Sequence, residues 1–137
     1  MNSILTPVLL LVAWSLLVLG VMALTRFPAM GRMGLKLNDA RHTADLAVLP
    51  SSVRQISDNY NHLMEQPTVF YALALYTHLA GHADALNIGF AWTYLGLRVV
   101  HSLVQITTNY VPARFAVFTL GTAVLTVWSL REVIALF

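Results

Sequence analysis

Two short runs carry most of the chemistry in this sequence. Arg98, His101 and Gln105 follow one another at spacings of three and four residues. So do Asp58, His62 and Glu65 (at four and three), with Asn61 beside them. On a helix each set falls on one face. A further cation, Arg114, follows a break at Asn109-Tyr110-Val111-Pro112. Such groups have two uses. Arg98 and Glu65 can pair and simply hold helices together, or the two stripes and Arg114 can line a polar cavity for an anionic ligand held by Arg, Asn and His. Periodicity leaves both open, and an ionisable group at the mouth of an apolar segment is expensive unless it is paired or used.

Other chemistries are excluded. There is no Cys, so disulfides, thiolate catalysis by the protein and Cys-ligated metals are out. His101 has no second His at ligand spacing on its face. His78 and His82 are four apart, but their only acidic neighbour is Asp84 in a turn, so no metal site is expected.

The elements that position these residues follow from composition. The chain has 137 residues, 58% hydrophobic and only 10% charged. Soluble domains carry roughly 25% charged residues. A chain this small has too much surface to hide so much apolar material from water. With a mean hydropathy of +0.69, its expected solvent is lipid. The sequence pI is about 9.3. The net charge is only +2, however, and the basic residues gather mainly in one loop. That distribution reads as a topology signal and not as a nucleic-acid surface.

Four spanning helices are expected, at about 5–26, 52–80, 85–108 and 112–134, in one domain. The first is an almost unbroken apolar run from Pro7 to Leu24, long enough for a ~30 Å hydrocarbon core. It has no basic start and is too long for a signal peptide. Arg26-Phe27-Pro28 reads as its anchor and stop. The loop 27–51, with Arg32, Lys36 and Arg41, is the basic side, which places it in the cytoplasm and the N-terminus outside. Pro50-Ser51-Ser52 reads as a helix start with Ser as the cap. The second helix is polar up to His62 and apolar after Val69. Its about 30 residues make roughly 45 Å, so its first turns project into the cytosol. Pro67 is expected to kink it just past Glu65. Trp14, Tyr71, Tyr76, Trp92, Tyr94 and Trp128 read as packing groups or interfacial anchors.

The run Asn59-Tyr60-Asn61-His62-Leu63-Met64-Glu65-Gln66-Pro67-Thr68-Val69-Phe70, then Arg98-x-x-His101, then Arg114 after the Asn-x-x-Pro break, resembles the MAPEG family, the membrane-associated proteins in eicosanoid and glutathione metabolism. The likeness covers nearly the whole chain: length, helix number, basic first loop and motif order.

The resemblance implies a homotrimer of four-helix subunits, with glutathione as co-substrate between neighbours at the cytoplasmic side. It implies that Asn61, His62 and Glu65 hold the peptide, assisted by Arg98, His101 and Gln105. Arg114 would stand at the sulfur and stabilise the thiolate, since a nearby cation lowers a thiol's pKa. A hydrophobic electrophile would enter from the membrane lipid. The expected function is therefore a glutathione transferase or peroxidase, with a bacterial inner membrane as its setting.

This sequence departs from the catalytic pattern in three places. An Arg and an Asn there precede the Glu, where this chain has Asn61 and His62. Protonated His62 can replace that cation, as can Arg26 or Arg32 from the first loop. Gln105 stands where a Tyr is common, and Phe115 where some members have Ser. A non-catalytic lipid-binding or scaffolding subunit of the same fold is the alternative. A channel or transporter has less support, because no paired repeat of broken helices is present.

Overall fold

The computed structural model describes residues 3–137. It is all-helical, with no strand among the described residues. The helices are α1 (Leu5–Arg32), α2 (Ser51–Glu65), α3 (Pro67–Leu79), α4 (Ala85–Ile106) and α5 (Val111–Ile134). Two 3-10 turns, Leu37–Asp39 and Thr43–Val48, occupy the first loop.

α1 corrects one expectation. The sequence places its stop at Arg26-Phe27-Pro28, yet the helix runs through Pro28 to Arg32. The actual stop is Gly34, at φ 69°. Leu35 N–H bonds Met30 O at 3.0 Å and Gly34 N–H bonds Gly31 O at 3.2 Å. This pair of bonds closes a helix around a left-handed residue, a position that suits Gly because it has no Cβ to clash. Leu35 also packs against the small cluster of Ala29, Met30 and Leu49, which fixes the first loop to the helix end.

The second expected helix comes as two segments. Gln66 between them keeps helical dihedrals, φ −60° and ψ −37°. Pro67 has no N–H to continue the ladder, and Thr68 Oγ1 donates to Glu65 O at 2.6 Å beside the break. At the start, Pro50 holds the cap position without any side-chain cap bond, so Ser51 and Ser52 sit inside the first turn. α3 ends as α1 does: Gly81 has φ 75°, and His82 N–H bonds Thr77 O at 3.0 Å. α4 begins with a true cap, in which Asp84 Oδ1 accepts from Asn87 N–H at 2.9 Å. Pro112 lies in the first turn of α5, where a missing N–H is harmless.

α4 packs along α5, and α1 along α2 and α4. Trp128, Tyr94, Phe70, Leu11, Leu63 and Ala91 form the core. The Phe70 and Tyr94 rings stack with centroids 4.8 Å apart, and Trp128 closes on Phe70 at 6.3 Å. α1 and α5 are long and apolar enough to cross a membrane. Leu9, Leu16, Leu17 and Leu24 of α1 stay exposed. An outward apolar stripe of this length suits a lipid solvent.

Candidate functional site

Arg98, His101 and Gln105 are all buried, on the face of α4 turned into the bundle. Arg98, only 3% exposed, reaches α2. Its Nη2 donates to the His62 carbonyl oxygen. The last carbonyls of a helix lack partners within it, so they accept readily from a neighbouring cation. Arg98 Nε remains buried without a partner, as do His101 Nδ1 and Gln105 Oε1.

Glu65 is placed differently from the pairing considered above. Its side chain is 69% exposed, and its nearest basic group is the His62 imidazole, Nδ1 at 3.9 Å. No Arg98–Glu65 ion pair forms within the chain, because Arg98 is engaged with backbone. Asn61 is also exposed, on the side of α2 away from α4.

Arg114 lies in the first turns of α5, whose first turn contains no acidic residue. A helix N-terminus carries partial positive charge. A guanidinium there is disfavoured by about 0.3–1 kcal/mol unless an anion joins it. Arg114 Nη1 donates to Asn109 Oδ1, while its Nε is buried and unpartnered. A hollow of about 200 Å³ opens beside it, lined by His62, His101, Val111, Arg114, Phe115 and Phe118. The His62 and His101 rings stand 5.9 Å apart, and His101 lies 6.2 Å from Phe118. The structure thus gathers three of the sequence-derived residues, His62, His101 and Arg114, around one cavity. Arg98 and Gln105 are buried outside its lining, and Asn61 and Glu65 face outward.

Several contributors went unnoticed in the sequence. Asn59 Nδ2 donates to Ser102 Oγ at 2.7 Å, and Trp14 Nε1 donates to the same oxygen at 3.0 Å, joining α1, α2 and α4 behind the cavity. Gln66 Nε2 donates to Thr122 Oγ1 at 2.7 Å and Gln55 Nε2 to Ile106 O at 3.0 Å. The signal was available: Gln55, Asn59, His62 and Gln66 repeat at helical spacing. Arg26, considered above as a spare cation, bonds Ser57 Oγ at 2.7 Å. It lines a separate hollow of about 140 Å³ with Arg54 and Asp58. Arg32 is exposed.

A second polar cluster lies at the other end of the bundle. Glu132 is 4% exposed. It accepts from Asn87 Nδ2 at 2.7 Å and contacts His82 Nδ1 at 2.8 Å. Arg131 forks onto Asp84, with Nη1 to Oδ1 at 3.0 Å. The Arg131 guanidinium, and then the Asn87 N–H, hold the Asp84 carboxyl well below the usual carboxylate range.

Fold and site together define an all-helical protein with two membrane-length apolar helices and a cleft beside Arg114 at one end of the bundle. The chain belongs to the MAPEG family, whose family model matches residues 4–134. That family includes glutathione transferases and related membrane proteins. Searches of the curated proteins and of the solved structures found no match.

Proposed function

We propose that this protein is a membrane-embedded glutathione transferase or peroxidase acting on hydrophobic electrophiles. The observation that carries this reading is the lone guanidinium of Arg114. It stands at the positive end of α5, without a carboxylate partner among the described residues, beside a cavity walled by two imidazoles and two phenyl rings. A thiolate at that point is favoured by both the guanidinium and the helix N-terminus. Glutathione loses its thiol proton to water, and the thiolate attacks the electrophilic carbon. With an aryl halide, a C–S bond forms and the halide leaves with the electron pair of its bond. Phe115 and Phe118 give an apolar approach for such a substrate.

The chain crosses the bilayer four times, with α2 and α3 acting as one interrupted span and the loop 27–51 in the cytoplasm, as in a bacterial inner membrane. It works as a homotrimer. The hollow of about 200 Å³ is below the roughly 300–1,000 Å³ of ligand pockets. A neighbouring subunit supplies the rest of the wall, and this is where outward-facing Asn61 and Glu65 find the peptide. Arg98, His101 and Gln105 support the site from α4.

Purified full-length protein in detergent is expected to conjugate glutathione to an activated aryl halide, and Arg114→Ala to slow it. Absence of glutathione binding by calorimetry at millimolar ligand would overturn the proposal. The departures from the catalytic pattern, with Asn61 and His62, Gln105 and Phe115 where an Arg and an Asn, a Tyr and a Ser are common, favour a second reading, a non-catalytic lipid-binding or scaffolding subunit. Lipid density in the inter-subunit cleft, with glutathione supplied and unbound, would establish that reading instead.

A further inference from the structure

We infer that Asn109 is the positioning residue for Arg114: it orients the guanidinium toward the cavity while leaving its charge uncancelled. This rests on the reading of Arg114 given above. Asn109 is the only described non-glycine residue at positive φ, at 51°. Left-handed backbone is disfavoured for most L-residues, and Asn tolerates it better than most because its short side chain bonds locally. The conformation is fixed from behind: Asn109 N–H donates to Val104 O at 2.7 Å, over the end of α4. The following residue, Tyr110, is the N-cap of α5, and Arg114 N–H bonds its carbonyl at 3.1 Å. The turn therefore holds the Asn109 side chain at a set place relative to α5.

Its Oδ1 accepts from Arg114 Nη1, the one side-chain hydrogen bond of Arg114 among the described residues. An arginine has five N–H donors in a planar fork, so fixing one end of the fork fixes the plane. The guanidinium donors that Asn109 does not engage are left for an anion in the hollow that Arg114 lines. An amide oxygen suits this task. A carboxylate would hold the fork as well, but would neutralise the charge that a thiolate needs. The other titratable groups lining the cavity are His62 from α2 and His101 from α4, and neither is a carboxylate.

Two substitutions separate backbone from side chain. Asn109→Gly keeps the left-handed turn without strain and loses the acceptor. Asn109→Asp keeps both the turn and the acceptor but adds a negative charge. The first measurement needs no glutathione: modification of Arg114 by phenylglyoxal in full-length protein in detergent, followed by peptide mass. Asn109→Gly is expected to speed modification at Arg114 several-fold, and an unchanged rate would overturn the assignment. The second is the pH profile of conjugation. Asn109→Gly is expected to lower kcat roughly tenfold, within the range that small misplacements produce, with KM for glutathione within about twofold. Asn109→Asp is expected to protect Arg114 as the wild type does, yet to move the alkaline rise in kcat/KM to higher pH. Wild-type kcat and pH profile in both variants would overturn it. Wild-type protein that never ionises bound glutathione would sink the transferase reading, while the phenylglyoxal rates still decide the role of Asn109.

Discussion

The two ends of this bundle use the same residue types in opposite ways. At the end carrying the α3–α4 turn, Arg131 pairs with Asp84, and the Glu132 carboxylate meets His82 and Asn87. At the end carrying Arg114, Arg98 rests on a backbone carbonyl, Arg114 on an amide oxygen, and Glu65 is in the open. The first arrangement is closed and has no further business with a ligand. The second leaves cations and a carboxylate unmatched, near a cavity. Paired charge near the end of an apolar helix is architecture; unpaired charge beside a hollow is capacity for binding.

The sharpest way to break this contrast is Arg114→Ala. Conjugation is expected to fall about 100-fold, the loss typical of removing one donor from a developing anion. The melting temperature in detergent should barely move. A large loss of stability with intact turnover per folded molecule would make Arg114 architectural too.

Glu132→Ala tests the other end. It leaves Asn87 and His82 facing a buried void, and is expected to cost roughly 2–3 kcal/mol of stability, the scale of hydrogen bonds to a charged group. Thermal unfolding reads the loss, and kcat per folded molecule should be unchanged.

A smaller effect is expected from Glu65→Gln. Being exposed, Glu65 should alter stability by no more than about 0.5 kcal/mol. If it meets the peptide across a subunit boundary, KM for glutathione rises roughly tenfold, equivalent to about 1.4 kcal/mol. Loss of stability without a change in KM would move Glu65 to the architectural side.

The smallest effect concerns Asp84. Its folded-state pKa lies below the unfolded value of about 3.9, so its contribution is present above that value. It fades only as pH falls toward the lower, folded value. The melting temperature of wild type should drop toward that of Arg131→Gln below about pH 4 and not at neutral pH. A gap between the two that closes near neutrality would assign the pH response elsewhere.

What the sequence disclosed followed from local periodicity. The burial of Arg98, His101 and Gln105 on one face could be read from spacing, as could an interruption at Pro67 and the starts of α4 and α5. Pro28 misled because proline weakens a helix by one bond, whereas Gly34 ends it by changing the hand of the backbone. Glu65 and Arg98 do not pair within one subunit, because a stripe shows which face a residue occupies and not how far its side chain turns around the helix edge. The bond from Glu132 to Asn87 joins residues 45 positions apart, where no periodicity reaches. The cavity aromatic Phe118 was hidden in a helix where apolar residues are ordinary.

The position of Glu132 also sets an order of events during synthesis. Asn87 and His82 emerge from the ribosome dozens of residues before the carboxylate they bind. Until α5 has been made, the α3–α4 turn holds a hydrogen-bonding vacancy. The bond forms only once α5 has seated against α4. Closure of one end of the bundle thereby reports that the helix bearing Arg114, at the other end, has arrived.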